Sequence, residues 1–167
     1  MTIKVGDRLP DGKLSESVEF DATGCPVNPR DHSVAELAKG KRIVIFGLPG
    51  AFTPTCSAKH VPSYVHNYEA LRSKGVDEIW CVAVNDAFVM NAWGRDQKSA
   101  GKVRMLADGS ADYTKKLGLE LDLTPRNMGI RSARYSMLVE DGVVRRLNIE
   151  APGKYEVSGA EAMLAQL

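Results

Sequence analysis

The sequence predicts an α/β domain built on a mixed β-sheet, and three features point to it. Two short runs, residues 42–48 and 79–84, are apolar and β-branched on both faces, as suits central parallel strands covered on each side. Each is followed by apolar residues at helical spacing. Near the C-terminus two further strand runs meet at Asp141-Gly142, a hairpin signal. Strands and helices that alternate and then close with a hairpin and a helix imply parallel pairing in the middle of the sheet and antiparallel pairing at one edge. The expected unit is a single domain spanning residues 1–167.

Taken in order, the first 30 residues are rich in Gly, Pro and Asp and read as an extension of short strands and turns. Ser33-Val-Ala-Glu36 is a capping box, and Gly40 stops the short helix it opens. The strand at 42–48 runs into a Gly/Pro loop. A helix follows, with Val61, Tyr64, Val65, Tyr68 and Leu71 on one face and Gly75 at its end. Residues 79–84 form the second buried strand. Phe88, Val89, Ala92 and Trp93 mark a second helix, residues 103–107 a short strand, and residues 111–117 a short helix. Residues 133–139 and 143–149 are the hairpin strands. Ser158-Gly-Ala-Glu161 is a second capping box, predicting a final helix through Leu167.

Composition excludes several function classes. The 167 residues are 44% hydrophobic, so the chain can bury a core without a disulfide or metal staple. Lys and Arg number 22 against 21 Asp and Glu, a net charge of +1, which is no footprint for nucleic acid or an anionic membrane. The longest mostly apolar stretch, residues 43–52, is broken by Gly47, Pro49 and Gly50 and falls short of the roughly 20 residues of a membrane span. The N-terminal residues lack the apolar core of a secretory signal. Three cysteines, Cys25, Cys56 and Cys81, are an odd count, against a disulfide framework and for a reducing, cytoplasmic compartment. No His/Cys spacing suits zinc and no phosphate-cradling motif is present, so neither a metal nor a cofactor is expected.

The informative stretch is Phe46-Gly-Leu-Pro49-Gly-Ala-Phe-Thr53-Pro54-Thr55-Cys56-Ser57. A buried strand ends at Leu48, a turn follows, and a helix starts near Pro54, a residue suited to a first helical turn. Cys56 then lies in the opening turn, at the carboxyl end of a core strand, where ligands gather in open α/β sheets. The unpartnered N–H groups and the dipole of a helix N-terminus favour a thiolate over a thiol. The dipole alone contributes only about 0.3–1 kcal/mol, so a nearby cation is also required. Arg126, Arg131 and Arg134 are available. The plainer alternative is that Cys56 is a small packing residue. His60, four residues on, is on the same helix face. It is either the partner of a Cys–His thiol hydrolase or a partly exposed helix residue.

Pro49-x-x-x-Thr53-x-x-Cys56 resembles the active-site signature of the peroxiredoxins, thiol peroxidases on a thioredoxin-like fold. The longer form, residues 49–57, is similar to the type II, peroxiredoxin-5-like branch. The blocks at residues 84–94, 106–111 and 134–142 extend the resemblance toward the glutaredoxin-linked members of plants and bacteria, across residues 3–167. The resemblance implies that Cys56 is the peroxidatic cysteine, that Thr53 hydrogen-bonds thiolate and peroxide, and that Arg134 pairs with the thiolate. It implies that Pro49 shields the site from water and that the backbone N–H groups of Thr55 and Cys56 hold the peroxide oxygen. Hydrogen peroxide and organic hydroperoxides are the implied substrates. Some members carry a resolving cysteine in the C-terminal region, but residues 154–167 contain none here. Cys81 matches the second cysteine of plant-like members and is either a resolving thiol or a buried strand residue. Cys25 matches no family position. Glutaredoxin with glutathione, or thioredoxin, is the implied reductant, and a homodimer contacting near Ala51, Phe52 and Phe88 the implied assembly. A peroxide-sensing redox switch and the Cys–His hydrolase are the alternative functions.

Overall fold

Strand β5 sets the architecture, because six of its seven residues are buried and both of its faces need cover. The computed structural model describes residues 1–167. The strands are β1 (Lys13–Glu16), β2 (Glu19–Phe20), β3 (Pro26–Val27), β4 (Arg30–Ser33), β5 (Arg42–Leu48), β6 (Glu78–Ala83), β7 (Arg104–Ala107), β8 (Glu120–Leu123), β9 (Gly129–Ser132), β10 (Tyr135–Glu140) and β11 (Val143–Ile149). The helices are α1 (Val34–Ala38), a π-helical turn at Cys56–His60, α2 (Val61–His66), α3 (Tyr68–Ser73), α4 (Ala87–Gln97), α5 (Asp112–Leu117) and α6 (Ala160–Leu164). A 3-10 turn at Thr124–Arg126 joins β8 to β9.

The main sheet runs β11-β10-β5-β6-β7-β1-β4. The β5–β6 and β6–β7 pairs are parallel, and β10 pairs antiparallel to β5. Antiparallel pairing occurs at both edges, whereas the sequence pointed to one: β1 and β4 add to the far side through β7. The second edge was hidden because β1, Lys-Leu-Ser-Glu, carries one apolar anchor, Leu14, and no alternating run. Side chains alternate along β5 between two cores. Val44, Phe46 and Leu48 join Cys81, Tyr64 and Trp93 on one face. Ile43 and Ile45 join Trp80, Leu106 and Met137 on the other. Burial on both faces is why β5 carries no polar side chain after Arg42.

Local chemistry accounts for the ends of the elements. Ser33 accepts the Glu36 N–H, as a capping box requires. Asp86 caps α4 by accepting the Val89 N–H at 2.8 Å. Asp141 and Gly142, with φ of 47° and 79°, close the β10–β11 hairpin in the left-handed conformations of a tight turn. Two expectations are corrected, and one hairpin is added. The single helix expected after the loop is broken at Asn67, whose side chain donates to the Ser63 carbonyl at 2.8 Å and whose backbone leaves the helical region. The second capping box does not form: α6 starts at Ala160 behind Gly159, with no side-chain cap, and ends at Leu164. The Ser158 hydroxyl goes instead to the Glu150 carboxylate. The β8–β9 hairpin has no strong sequence signal, because its strands are four residues each and only Glu120–Leu123 alternates polar and apolar residues. No helix is long and apolar enough to cross a membrane.

Gly47 lies in β5 opposite Tyr135, and a Cβ there would run into the Tyr135 ring. Gly47→Ala is expected to lower stability by about 1–3 kcal/mol through overpacking, read as a fall in the urea midpoint with the slope unchanged.

Candidate active site

The site begins where β5 ends. After Leu48 the chain turns through Pro49, Gly50, Ala51 and Phe52, and Phe52 adopts a left-handed backbone (φ 60°), unusual for a side chain of its size. Three clamps hold this turn. Arg131 donates to the Pro49 carbonyl at 3.2 Å. Asn85, at the exit of β6, accepts the Ala51 N–H at 2.9 Å. The Thr53 hydroxyl donates to the Gly50 carbonyl at 2.6 Å. Helical backbone starts at Pro54 and widens at once into the π turn, with the Val61 N–H reaching back to the Cys56 carbonyl. Such π turns are frequent at functional sites. Trp93 of α4 braces the turn by donating to the Ser57 hydroxyl at 3.0 Å.

Cys56 is 1% exposed. Arg134, between β9 and β10, donates Nη2–H to Cys56 Sγ at 3.2 Å. Its Nη1 reaches Nδ1 of His60 at 2.9 Å. A guanidinium has only donors, so Nδ1 must be the acceptor and His60 carries its proton on Nε2. That Nε2–H points at the Ser158 carbonyl, 3.0 Å away. Of the three arginines available in the sequence, Arg134 alone reaches the sulfur. Arg131 is committed to the Met128 and Pro49 carbonyls, and Arg126 stands on the wall of the cleft above.

His60 is fully buried, which corrects the expectation of a partly exposed helix residue. Burial, then the charge on Arg134, push its pKa down to about 3, partly offset by the bond to Ser158. Its one acceptor atom is occupied by Arg134. His60 is therefore in no position to take a proton from Cys56, and the Cys–His hydrolase pairing loses its base. The Thr53 hydroxyl hydrogen goes to Gly50 rather than to the sulfur.

An open cleft of about 510 Å³ is lined by the residues around Cys56, which is itself buried behind them. Pro49, Thr53, Pro54, Thr55 and Arg134 line one side, and Leu121, Leu123 and Met128 of the β8–β9 hairpin line the other. A larger depression of about 750 Å³ around Asp86, Phe88 and Asp108 is lined by no cysteine. Cys81 is fully buried in β6, within the same apolar cluster as Cys56, and burial pushes its thiol pKa up. Cys25 is exposed, and all three thiols are free. No group of three or more His, Cys, Asp and Glu side chains is placed to hold a metal ion. The sequence drew no attention to Glu150, and it offered Arg131 only as a cation for Cys56 and Ser158 only as a helix cap, since a loop clamp and a strand-end carboxylate follow no motif.

Residues 4–164 match the Redoxin family model. Peroxiredoxin-2B of Arabidopsis thaliana is 48% identical over 165 residues, covering 99% of this chain and 98% of the relative. Reduced Prx3 of Vibrio vulnificus, solved in complex with H2O2, is 48% identical with a TM-score of 0.89, covering 99% of each chain. A Burkholderia cenocepacia structure, provisionally named a thioredoxin reductase, is 60% identical with a TM-score of 0.95, covering 100% of this chain and 99% of its own.

The buried imidazole makes stability depend on pH. In the unfolded chain His60 titrates near 6.5, and in the folded chain near 3. Below pH 6.5 the unfolded state takes up a proton that the folded state refuses. Stability is therefore full above about pH 6.5 and declines as pH falls toward 3, with a loss of about 2 kcal/mol by pH 5. Urea titrations at pH 7 and pH 5 are expected to show this drop, and His60→Gln to remove most of it.

Proposed function

The chain belongs to the redoxin family, as a type II peroxiredoxin, and we propose that Cys56 is the nucleophile of its thiol-dependent reduction of peroxides. The observation that carries this assignment is the 3.2 Å contact from Nη2 of Arg134, a residue that lines the open cleft, to Cys56 Sγ. In the proposed cycle Sγ attacks one peroxide oxygen. The S–O bond forms as the O–O bond breaks, and the departing oxygen takes a proton to leave as water or an alcohol. Cys56 becomes a sulfenic acid. A thiol condenses with it, releasing water and leaving a disulfide, and a second thiol reduces that disulfide.

Each neighbour has a distinct part in this reading. The Arg134 guanidinium holds the sulfur and meets charge developing on the leaving oxygen. Thr53, with its hydrogen committed to Gly50, keeps lone pairs free to accept the O–H of a peroxide. The N–H groups of Thr55 and Cys56, in the opening turn of the helix, hold the peroxide oxygen. Pro49 walls the cleft against bulk water. The apolar hairpin wall, Leu121, Leu123 and Met128, suits organic hydroperoxides as well as hydrogen peroxide.

The resolving thiol is read as external: glutathione with glutaredoxin, or thioredoxin. Residues 154–167 have no cysteine and Cys81 is fully buried, which supports that reading. Phe52 and Phe88, 56% and 47% exposed, support a homodimer formed through the active-site end of the fold.

Stopped-flow mixing with hydrogen peroxide tests the assignment. Cys56 is expected to oxidise orders of magnitude faster than free cysteine; an equal rate would overturn the reading. Cys56→Ser should abolish turnover. Arg134→Ala should slow sulfenate formation about 10²-fold, the usual loss for a donor aimed at developing charge. Cys81→Ser should retain most turnover supported by glutaredoxin or thioredoxin, and a collapse with the fold intact would make Cys81 the resolving thiol.

A further inference from the structure

Glu150 follows the last residue of β11 and is 8% exposed, yet it forms no ion pair. Its carboxylate is fully used by one short loop. Oε1 and Oε2 accept the Glu156 N–H at 2.9 and 2.8 Å, and Oε2 also accepts the N–H groups of Val157 and Ser158 at 2.8 and 2.9 Å. The Ser158 hydroxyl adds a bond of 2.7 Å to Oε2. Burial alone would raise the pKa of this carboxyl, but the Ser158 hydroxyl and the backbone donors more than reverse that and hold it below the usual range. Glu150 is thus an anionic template on which residues 156–158 are folded.

The template is tied to the reactive sulfur from two directions. Its own backbone N–H donates to the Arg134 carbonyl at 2.9 Å. Through the loop it places the Ser158 carbonyl, which accepts from His60 Nε2 at 3.0 Å and from the Tyr64 hydroxyl at 2.8 Å. That carbonyl decides which nitrogen of His60 carries the proton. With Nε2 protonated, Nδ1 is an acceptor and takes one N–H of Arg134. With the other tautomer an N–H would face an N–H, and the guanidinium would be turned away from Cys56.

We propose that Glu150 is a positioning residue for peroxide reduction: by fixing loop 156–158 it sets the His60 tautomer, and through it the aim of the Arg134 guanidinium at the Cys56 sulfur. The inference rests on the peroxidase reading above and extends it to a carboxylate that makes no contact with the sulfur, although Glu150 also stands on the wall of the cleft.

Glu150→Gln keeps the shape of the side chain but puts an amide N–H among the loop donors. The rate constant of Cys56 with hydrogen peroxide is expected to fall about tenfold or more in the folded variant, since small misplacements of catalytic groups cost that much. The ¹⁵N signals of His60 should at the same time lose the pattern of a fixed Nε2–H tautomer. Tyr64→Phe, which deletes the other bond to the same carbonyl, should stay within about twofold of the unsubstituted protein. A Glu150→Gln rate within twofold of the unsubstituted protein, or a His60 tautomer unchanged in that variant, overturns the proposal. Should Glu150→Gln not fold, Ser158→Ala deletes only the 2.7 Å hydroxyl arm, and a smaller fall in the same direction is expected; an unchanged rate again overturns it. An unsubstituted protein no faster than free cysteine overturns the peroxidase reading itself, and the positioning role with it. A fast unsubstituted protein beside an equally fast Glu150→Gln overturns the positioning role alone.

Discussion

The site depends on one contact, the guanidinium of Arg134 against the sulfur of Cys56, and sheet register delivers it. Tyr135 pairs with Gly47 at the end of the β10–β5 ladder, so the residue before Tyr135 arrives beside the end of β5. That residue is Arg134, and the loop leading to Cys56 starts there. A slip of one residue would send the β10 side chains to the opposite faces and remove Arg134 from the cysteine. Close approach at Gly47 belongs to the same device, because the Tyr135 ring occupies the space a side chain there would need. The two ends of the constellation, 78 residues apart in sequence, are brought together by strand pairing rather than by any local motif.

The charge on Arg134 has no carboxylate partner within salt-bridge distance. Its two terminal nitrogens are instead divided between a neutral imidazole and the sulfur. A charge left uncompensated by acids remains available to an electron-rich sulfur and to the oxygen that departs from it. Orientation matters more than ionisation here. A thiol of ordinary acidity is already a few per cent ionised near neutral pH, so complete ionisation gains only about 30-fold. Enzymes commonly accelerate reactions by about 10⁶-fold or more. The larger share must come from holding the O–O bond in line with the sulfur and from donors fixed in advance around it.

What the sequence made legible follows from how local each signal is. The β5 strand, the Cys56 turn and the Asp141-Gly142 hairpin were readable because each is decided by neighbouring residues: burial on both faces, a strand-to-helix junction, positive φ at two positions. The second antiparallel edge was not, since β1 is held by Leu14 and by pairing with distant strands. The capping box at residues 158–161 was misread for an instructive reason. A serine three residues before a glutamate satisfies the pattern, but a buried carboxylate at Glu150 offered its hydroxyl a charge-assisted bond that a helix end could not match. His60 was underrated on the same ground: four-residue spacing put it on the cysteine's face, but nothing nearby in sequence showed that Phe46, Tyr155 and Arg134 would enclose it.

The identity of that enclosed residue has a physical logic. A carboxylate in its place would also accept from Arg134, and more strongly, but it would neutralise the guanidinium and draw it away from the sulfur. A neutral imidazole fixes one edge of the guanidinium while leaving its charge for the reaction. That solution requires the imidazole to stay unprotonated and to keep its hydrogen on Nε2. Burial meets the first requirement, and the Ser158 carbonyl meets the second. The π turn contributes the geometry, since it spans Cys56 to His60 and presents both side chains to the same guanidinium. On the proposed reading, a stretch that looks in sequence like a nucleophile and its base serves instead as a nucleophile and the orienter of a shared cation.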